Sequence, residues 1–199
     1  MARTRADDFE DKQRHILIQA ASVFAEQGME KASMSAIATA SGVSKSLLYH
    51  YYPNKDALIF EIIRSHLEDL DRDIEKADQP DLETEKRLKH LVRAVLENYK
   101  DADDLHKVQL NAGPLLSDEQ KSEITALERR IVRRFSTILK EINPNLENPE
   151  KPLLMPVTMS LFGMMNWVYM WFRDGGPVTR ENYADLATQL ILEGAKSVK

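Results

Sequence analysis

Residues 33–55 read SMSAIATASGVSKSLLYHYYPNK, and the fold turns on this stretch. A short apolar helix is expected near 36–41, with Ser35 as its N-cap. Gly42 closes it, because the turn needs a positive φ that glycine takes without strain. A second short helix follows near 45–51. Pro53 and Asn54 then break the chain, and Asn54 is placed to cap a long helix over 55–76. Two short helices about a glycine turn make the helix-turn-helix pattern.

The spacing has physical content. Ala38 is small where the two helices cross, and Ile37, Val43 and Leu48 point to a core shared with the preceding helix. What stays outward on the second helix is Ser44, Lys45, Ser46, Leu47, Tyr49 and His50. These are short donors, a cation and amphipathic rings at a helix N-terminus, where free N–H groups and partial positive charge suit phosphate. Short side chains let such a helix sink into a DNA major groove about 12 Å wide. An ordinary helical hairpin in a three-helix unit fits the pattern too.

Outward from this stretch, nearly every segment reads as helix. Ile16, Leu17, Ala20, Ala21 and Phe24 recur at threes and fours, which predicts a helix over 9–27 ended by Gly28. Further helices are expected near 82–100, 103–111, 118–142, 153–173 and 180–196, separated by Asp78-Gln79-Pro80, Gly113-Pro114, 143–152 and Gly175-Gly176-Pro177. The fold class is therefore all-α, with a helix-turn-helix part over 1–55 and a helical bundle over 56–199.

Composition bounds the function. The 199 residues carry a net charge of −5 and no cysteine. That excludes thiolate nucleophiles, disulfide scaffolds and cysteine zinc sites, and it weighs against an indiscriminate polyanion binder. The charge is uneven. Residues 1–56 balance 7 basic against 7 acidic side chains, while 57–199 hold 20 basic and 25 acidic. The opening MARTRADDFED has no apolar signal region, so a cytoplasmic protein is expected.

The helix-turn-helix stretch resembles the DNA-binding domain of the TetR family of bacterial repressors. The resemblance rests on Phe24 and Gly28, on Ser35, Ile37 and Ala38, on Gly42, Val43, Ser44 and Lys45, on Leu48, Tyr49, Tyr51 and Tyr52, and on Lys55 and Leu58. Tyr51-Tyr52 departs mildly from the His-Phe or Tyr-Phe usual there. The resemblance implies that Ser33 and Ser35 touch phosphate. Lys45 and Ser46 are the base-edge candidates beside Ser44 and Leu47. Tyr49, His50 and Tyr51 meet backbone or thymine methyls, and Lys55 clamps a phosphate. Arg3 and Arg5 lie in an N-terminal arm that either adds phosphate contacts or does nothing. One helix pair reads about half an operator, so a dimer on a pseudo-palindrome of double-stranded DNA is expected.

Residues 153–172, LLMPVTMSLFGMMNWVYMWF, carry no charge. By length this is a membrane-span candidate. Pro156, Gly163, Asn166 and five methionines over 153–172 favour instead a helix buried on its own bundle and on a partner subunit. With the stripe Tyr183, Leu186, Ala187, Leu190 and Ile191, helices 153–173 and 180–196 form the expected homodimer interface, with no membrane partner. The inner face then supplies a ligand wall of Met159, Phe162, Gly163, Asn166 and Met170, and Tyr99 joins these candidates. A plain core fits equally well.

The run Gly163–Trp167, with Trp171, Phe172, Arg173 and Gly175-Gly176-Pro177, is similar to a TetR subgroup that controls fatty-acid, sterol or aromatic-acid breakdown. Those regulators release DNA on binding an acyl-CoA. The opening residues and LLYHYYPNK resemble regulators of phenylacetate degradation. This implies an acyl-CoA effector such as phenylacetyl-CoA or a fatty acyl-CoA. Arg130 and Arg134, with Arg129 and Arg133, would then hold its phosphates; a solvated face paired with Glu123, Glu128 and Glu141 is the alternative. A multidrug- or aromatic-compound-responsive regulator is the rival within the family.

The five histidines show no metal-binding spacing. Asp101, Asp103 and Asp104 lack the glycine and distal glutamate of a calcium loop and read as a helix N-cap. No nucleophile elbow or phosphate loop is present. No cofactor, no metal and no enzymatic activity are expected.

Overall fold

Period-3.6 apolar patterning with isolated breakers gives helices throughout. The computed structural model describes the backbone of residues 2–199 and the side chains of residue 9 and residues 11–199. Arg3 and Arg5 of the expected arm lie outside the described side chains. Among the described residues there are ten α-helices and no strand: α1 (Ala2–Gln27), α2 (Met34–Ala40), α3 (Lys45–Tyr51), α4 (Lys55–Ala77), α5 (Thr84–Asn98), α6 (Asp103–Asn111), α7 (Asp118–Ile142), α8 (Leu154–Asn166), α9 (Val168–Trp171) and α10 (Arg180–Ser197). Short 3₁₀ turns cover Gly113–Leu115 and Pro144–Glu147.

The chain forms two compact units. One is the chain up to Leu67 with Ala102–Thr125, and the other is Glu68–Asp101 with Ala126–Lys199. Of the three divisions, two fall inside helices, α4 and α7, and the third lies between α5 and α6; α6 groups with the first unit by packing on α1.

In the first unit the apolar positions of α1 are buried: Ile16, Ala20 and Ala21 are fully covered and Phe24 nearly so. Gly28 ends the helix at φ 80°, and its N–H closes on the Phe24 carbonyl at 3.0 Å. Gly42 makes the turn between α2 and α3 at φ 63°. Both positions need the left-handed region, where a side chain costs about 1 kcal/mol or more. Asn54 caps α4, its Oδ1 accepting from the Ala57 N–H at 2.7 Å.

Three local expectations are corrected. Ser33, not Ser35, caps α2, accepting from the Ala36 N–H at 3.1 Å. The start of α6 has Ala102 as its N-cap, with Asp103 and Asp104 in the first turn, where carboxylates suit the helix dipole. The uncharged run is not one helix, because α8 stops at Asn166 and α9 resumes at Val168. No helix among the described residues is long and apolar enough to cross a membrane.

In the second unit α5 packs on α10 and α8, and α8 packs on α10. Leu88, Leu91, Val92 and Val95 of α5, Leu161 and Met165 of α8, and Ala184 and Ala187 of α10 are fully buried. Phe135 of α7 is also fully buried and meets Phe162 of α8 edge-on, ring centres 5.0 Å apart.

Candidate nucleic-acid interface and effector site

The candidate recognition element is α3. Ser44 caps it, its hydroxyl accepting from the Leu47 N–H at 3.1 Å. Leu48 is fully buried, and Ile37 and Ala38 anchor α2 beneath it, while Val43 at the turn is half-buried. With one side fixed, α3 presents Ser44, Lys45, Ser46, Tyr49 and His50 to solvent, and Leu47 is half-buried. The geometry therefore brings together five of the expected contact residues on one short exposed helix, Ser44, Lys45 and Ser46 at its start and Tyr49 and His50 in its last turn. Ser33 is exposed at the head of α2, with Ser35 half-buried beside it.

Tyr51 is half-buried, its ring 5.0 Å from that of Phe9. That contact joins α3 to α1 and makes the ring partly structural.

Lys55 departs from expectation. Its ammonium donates to the carbonyls of Met29 at 2.6 Å, Glu30 at 3.0 Å and Ala32 at 3.5 Å. These oxygens follow the C-terminus of α1, where the helix dipole is negative. The expected phosphate clamp is thus a backbone clamp that ties the start of α4 to the turn after α1.

The expected ligand wall does not form one face. Phe162 is buried and Asn166 half-buried, but Met159, Gly163 and Met170 point outward. Residues 155, 159, 163 and 167 follow one another by four, so they share a stripe. Met155 is 55% exposed, Trp167 57% and Met170 59%, with Leu186 and Leu190 of α10 at 50% and 57%. Large apolar side chains thus stand half in water across two packed helices. Ala187 and Ile191, expected in the same stripe, are buried within the unit.

Tyr99 and Asn166 are brought together. The Tyr99 hydroxyl, on a buried side chain, donates to Asn166 Oδ1 at 3.0 Å. Burial pushes the Tyr99 hydroxyl pKa well above its ordinary value, with the charge of Glu128 adding to the rise. The group stays a neutral donor.

Arg130 and Arg134 are tied to α4. Their Nε atoms lie 2.7 and 3.2 Å from the two oxygens of buried Asp71, and Arg134 also reaches Glu75 at 3.6 Å. Neither reading of the arginine cluster anticipated this partner, and Glu141 pairs instead with Arg87. A cleft of about 480 Å³ opens elsewhere, lined by Ala77, His90, Arg93, Leu96, Arg180 and Ala184 among others. It includes none of the expected ligand residues.

Comparison with known proteins settles the class. Residues 16–62 match the family model described as "Bacterial regulatory proteins, tetR family". Residues 81–195, more than half the chain, match "Tetracyclin repressor-like, C-terminal domain". The chain belongs to the TetR family. This TetR-family regulator is 27% identical over 200 residues to the HTH-type transcriptional repressor KstR2 of Rhodococcus jostii (strain RHA1), covering 96% of each chain. Among solved structures it is similar to a TetR-family regulator from Bordetella parapertussis 12822, at 30% identity and TM-score 0.83 over 91% of this chain and 94% of that one. It is also similar to AibR in complex with isovaleryl coenzyme A and operator DNA, at 25% identity and TM-score 0.75 over 90% of this chain and 97% of that one. It is a helix-turn-helix transcriptional regulator of all-helical fold, and its family is one of regulators, not of enzymes.

Proposed function

We propose that this protein is a cytoplasmic, ligand-responsive repressor that grips a pseudo-palindromic operator as a homodimer and is released by an acyl-CoA. The observation that carries the DNA half is the exposed part of α3, with Ser44, Lys45 and Ser46 at its start and Tyr49 and His50 in its last turn, on a helix whose other side is fixed by buried Leu48. Lys45 and Ser46 read base edges, while Ser33, Ser35, Ser44 and Leu47 seat the helix. Tyr49, His50 and Tyr51 line the backbone side. Residues 1–55 act on DNA and 56–199 dimerise and sense.

The outward stripe of α8 with Leu186 and Leu190 of α10 is the dimer face. Two subunits then place their recognition helices in successive major grooves, about 34–36 Å apart. Effector bound in the 56–199 part acts through α4, which begins at Lys55 directly after the recognition helix, and changes that spacing. A ligand shifts the equilibrium only by its preference for the non-binding arrangement. Support for the effector class comes from AibR, whose structure holds isovaleryl coenzyme A with operator DNA.

A gel-shift titration on the DNA upstream of the protein's own gene and on a scrambled duplex tests the reading. Specific retardation, released by an acyl-CoA and not by free coenzyme A, is expected. Lys45→Ala and Ser46→Ala each relax base preference by about 1–3 kcal/mol at the affected position. Equal affinity of the wild type for both duplexes would remove the specific-repressor reading.

A further inference from the structure

The cleft of about 480 Å³ lies wholly within the second unit, between the end of α4, one side of α5 and the start of α10. That volume is in the range of small-molecule and cofactor sites. Ala77, Ala94 and Ala184 are among its walls. Their side chains end at Cβ, which is what leaves the space open.

Two guanidiniums line the cleft, and both have their donor edges engaged. Arg180 is only 12% exposed. Its Nε and Nη2 donate to the two oxygens of Asp174 at 3.0 and 2.8 Å, and its Nη1 donates to the Leu96 carbonyl at 3.3 Å. The Phe172 ring centre lies 5.0 Å from its Cζ and covers one face. What a molecule in the cleft meets of Arg180 is therefore the other face. Arg93 donates from Nε and Nη2 to Asp185 at 3.1 and 2.8 Å, and its Nη2 also lies 2.8 Å from Glu181.

This chemistry selects against an anion. Arg93 and Arg180 are balanced in the lining by Glu97 and Glu181, so no surplus charge draws a phosphate or a carboxylate. A guanidinium held by its edges still stacks on a π-system. A flat ring gains that contact and the apolar contact of the alanines. Gln79, His90 and Glu97 in the same lining carry acceptors for an amino group on the ring.

We propose that this cleft is a stacking site for a flat, amino-bearing heteroaromatic ring, and that the adenine of a coenzyme A effector occupies it. The assignment to adenine rests on the reading of the effector as an acyl-CoA. It adds where the nucleotide end is read, and that the base rather than a phosphate is the group recognised there.

The test uses the full-length protein and four probes: adenosine, which has the base and no phosphate; phenylacetate, a flat ring without a nucleotide; phenylacetyl-CoA; and phenylacetyl-pantetheine, which lacks the nucleotide. Saturation-transfer NMR on the wild type should show adenosine bound through its base protons. Ala94→Leu fills the cleft from α5 and should abolish that signal. By calorimetry it should weaken phenylacetyl-CoA by about tenfold, as loss of one base stack does, and leave phenylacetyl-pantetheine within about twofold. Ala77→Leu fills the cleft from α4, should act alike, and carries the test if Ala94→Leu does not fold.

Absence of adenosine binding to the wild type overturns the adenine assignment. If phenylacetate then binds and Ala94→Leu expels it, the occupant is a free aromatic compound; if neither ring binds, the stacking site itself is overturned. Adenosine or phenylacetyl-CoA binding that survives a filled cleft overturns the location. Adenosine lost on filling the cleft, with no binding of phenylacetyl-CoA or isovaleryl-CoA to the wild type, supports the ring site and overturns the acyl-CoA reading alone.

Discussion

Lys55→Met separates two roles that one lysine cannot fill at once. In the structure the ammonium donates to three backbone carbonyls, at 2.6, 3.0 and 3.5 Å. Methionine keeps most of the apolar stem, so the substitution isolates the charge. Hydrogen bonds to a charged group contribute about 1.5–3 kcal/mol each when well formed. The 3.5 Å contact is weak, and the site is only half-buried, so two bonds at the low end give about 3 kcal/mol. For a chain of this length each kcal/mol moves Tm by about 2–4 °C. The expected fall is therefore about 6–12 °C, read by circular dichroism or calorimetry. Below the melt, the salt dependence of operator binding should match wild type, because no phosphate contact has been removed. If Lys55 instead swings out to DNA, Tm stays near wild type and the log–log salt slope flattens by about 2 per dimer, at 0.9 per phosphate contact. That pair of results would refute the backbone-clamp reasoning.

Two further perturbations have signed outcomes. His66 of α4 and His106 of α6 are both buried, ring centres 6.1 Å apart, and burial first, then the charge of His106, lower the His66 pKa from 6.5 to about 4. The unfolded chain binds this proton first, so stability is full above about pH 6.5 and falls as pH drops toward 4, by up to about 3 kcal/mol. Urea titrations across that window should show the slope in wild type and a shallower one in His66→Leu; equal slopes would reject the assignment. On the outward face, Leu186→Asp with Leu190→Asp puts two carboxylates where half-exposed leucines stand. Sedimentation should then show a monomer, and operator affinity should drop by about 100-fold or more as bivalent engagement is lost. A stable dimer would place the interface elsewhere.

The readable parts of the chain were those where local physics leaves few choices. Gly28 and Gly42 sit at positive φ, and Asn54 caps α4, because glycine and asparagine mark such places for reasons a few residues wide. The exposed and buried sides of α3 followed from period alone. What was hidden depends on partners far along the chain. Asp71 and the arginines that hold it are about sixty positions apart, Lys55 meets carbonyls about twenty-five residues upstream, and Tyr99 meets Asn166 across 67 positions. Composition was also blind inside 153–172. With apolar side chains on every side of α8, the pattern could not say which stripe faces inward, and Met159, Gly163 and Met170 fell on the outer one. The joint at Trp167 has no adjacent proline or glycine to announce it, and the bonds from Tyr99 and Tyr183 to the turn before it come from distant parts of the chain.

The same distinction changes how a chain of net charge −5 holds DNA. Over residues 29–55 the cations are Lys31, Lys45 and Lys55, and the last is bound to backbone carbonyls. Lys31 and Lys45 remain exposed. Upstream, Arg3, Arg5, Lys12 and Arg14 are offset by Asp7, Asp8, Glu10 and Asp11. Lys45 reads base edges, so a dimer brings about two of these cations, its Lys31 pair, to phosphates, and most of the grip falls to neutral donors: the N-termini of α2 and α3, serine hydroxyls and the Tyr49 hydroxyl. Neutral donors release no counterions. The slope of log K against log salt should accordingly be near −2, at 0.9 per phosphate contact, and Lys31→Ala should flatten it by about 2. A slope steeper than about −6 would mean that cations outside this stretch, Arg3 and Arg5 first among them, reach the phosphates, and the neutral-donor account of binding would have to be given up.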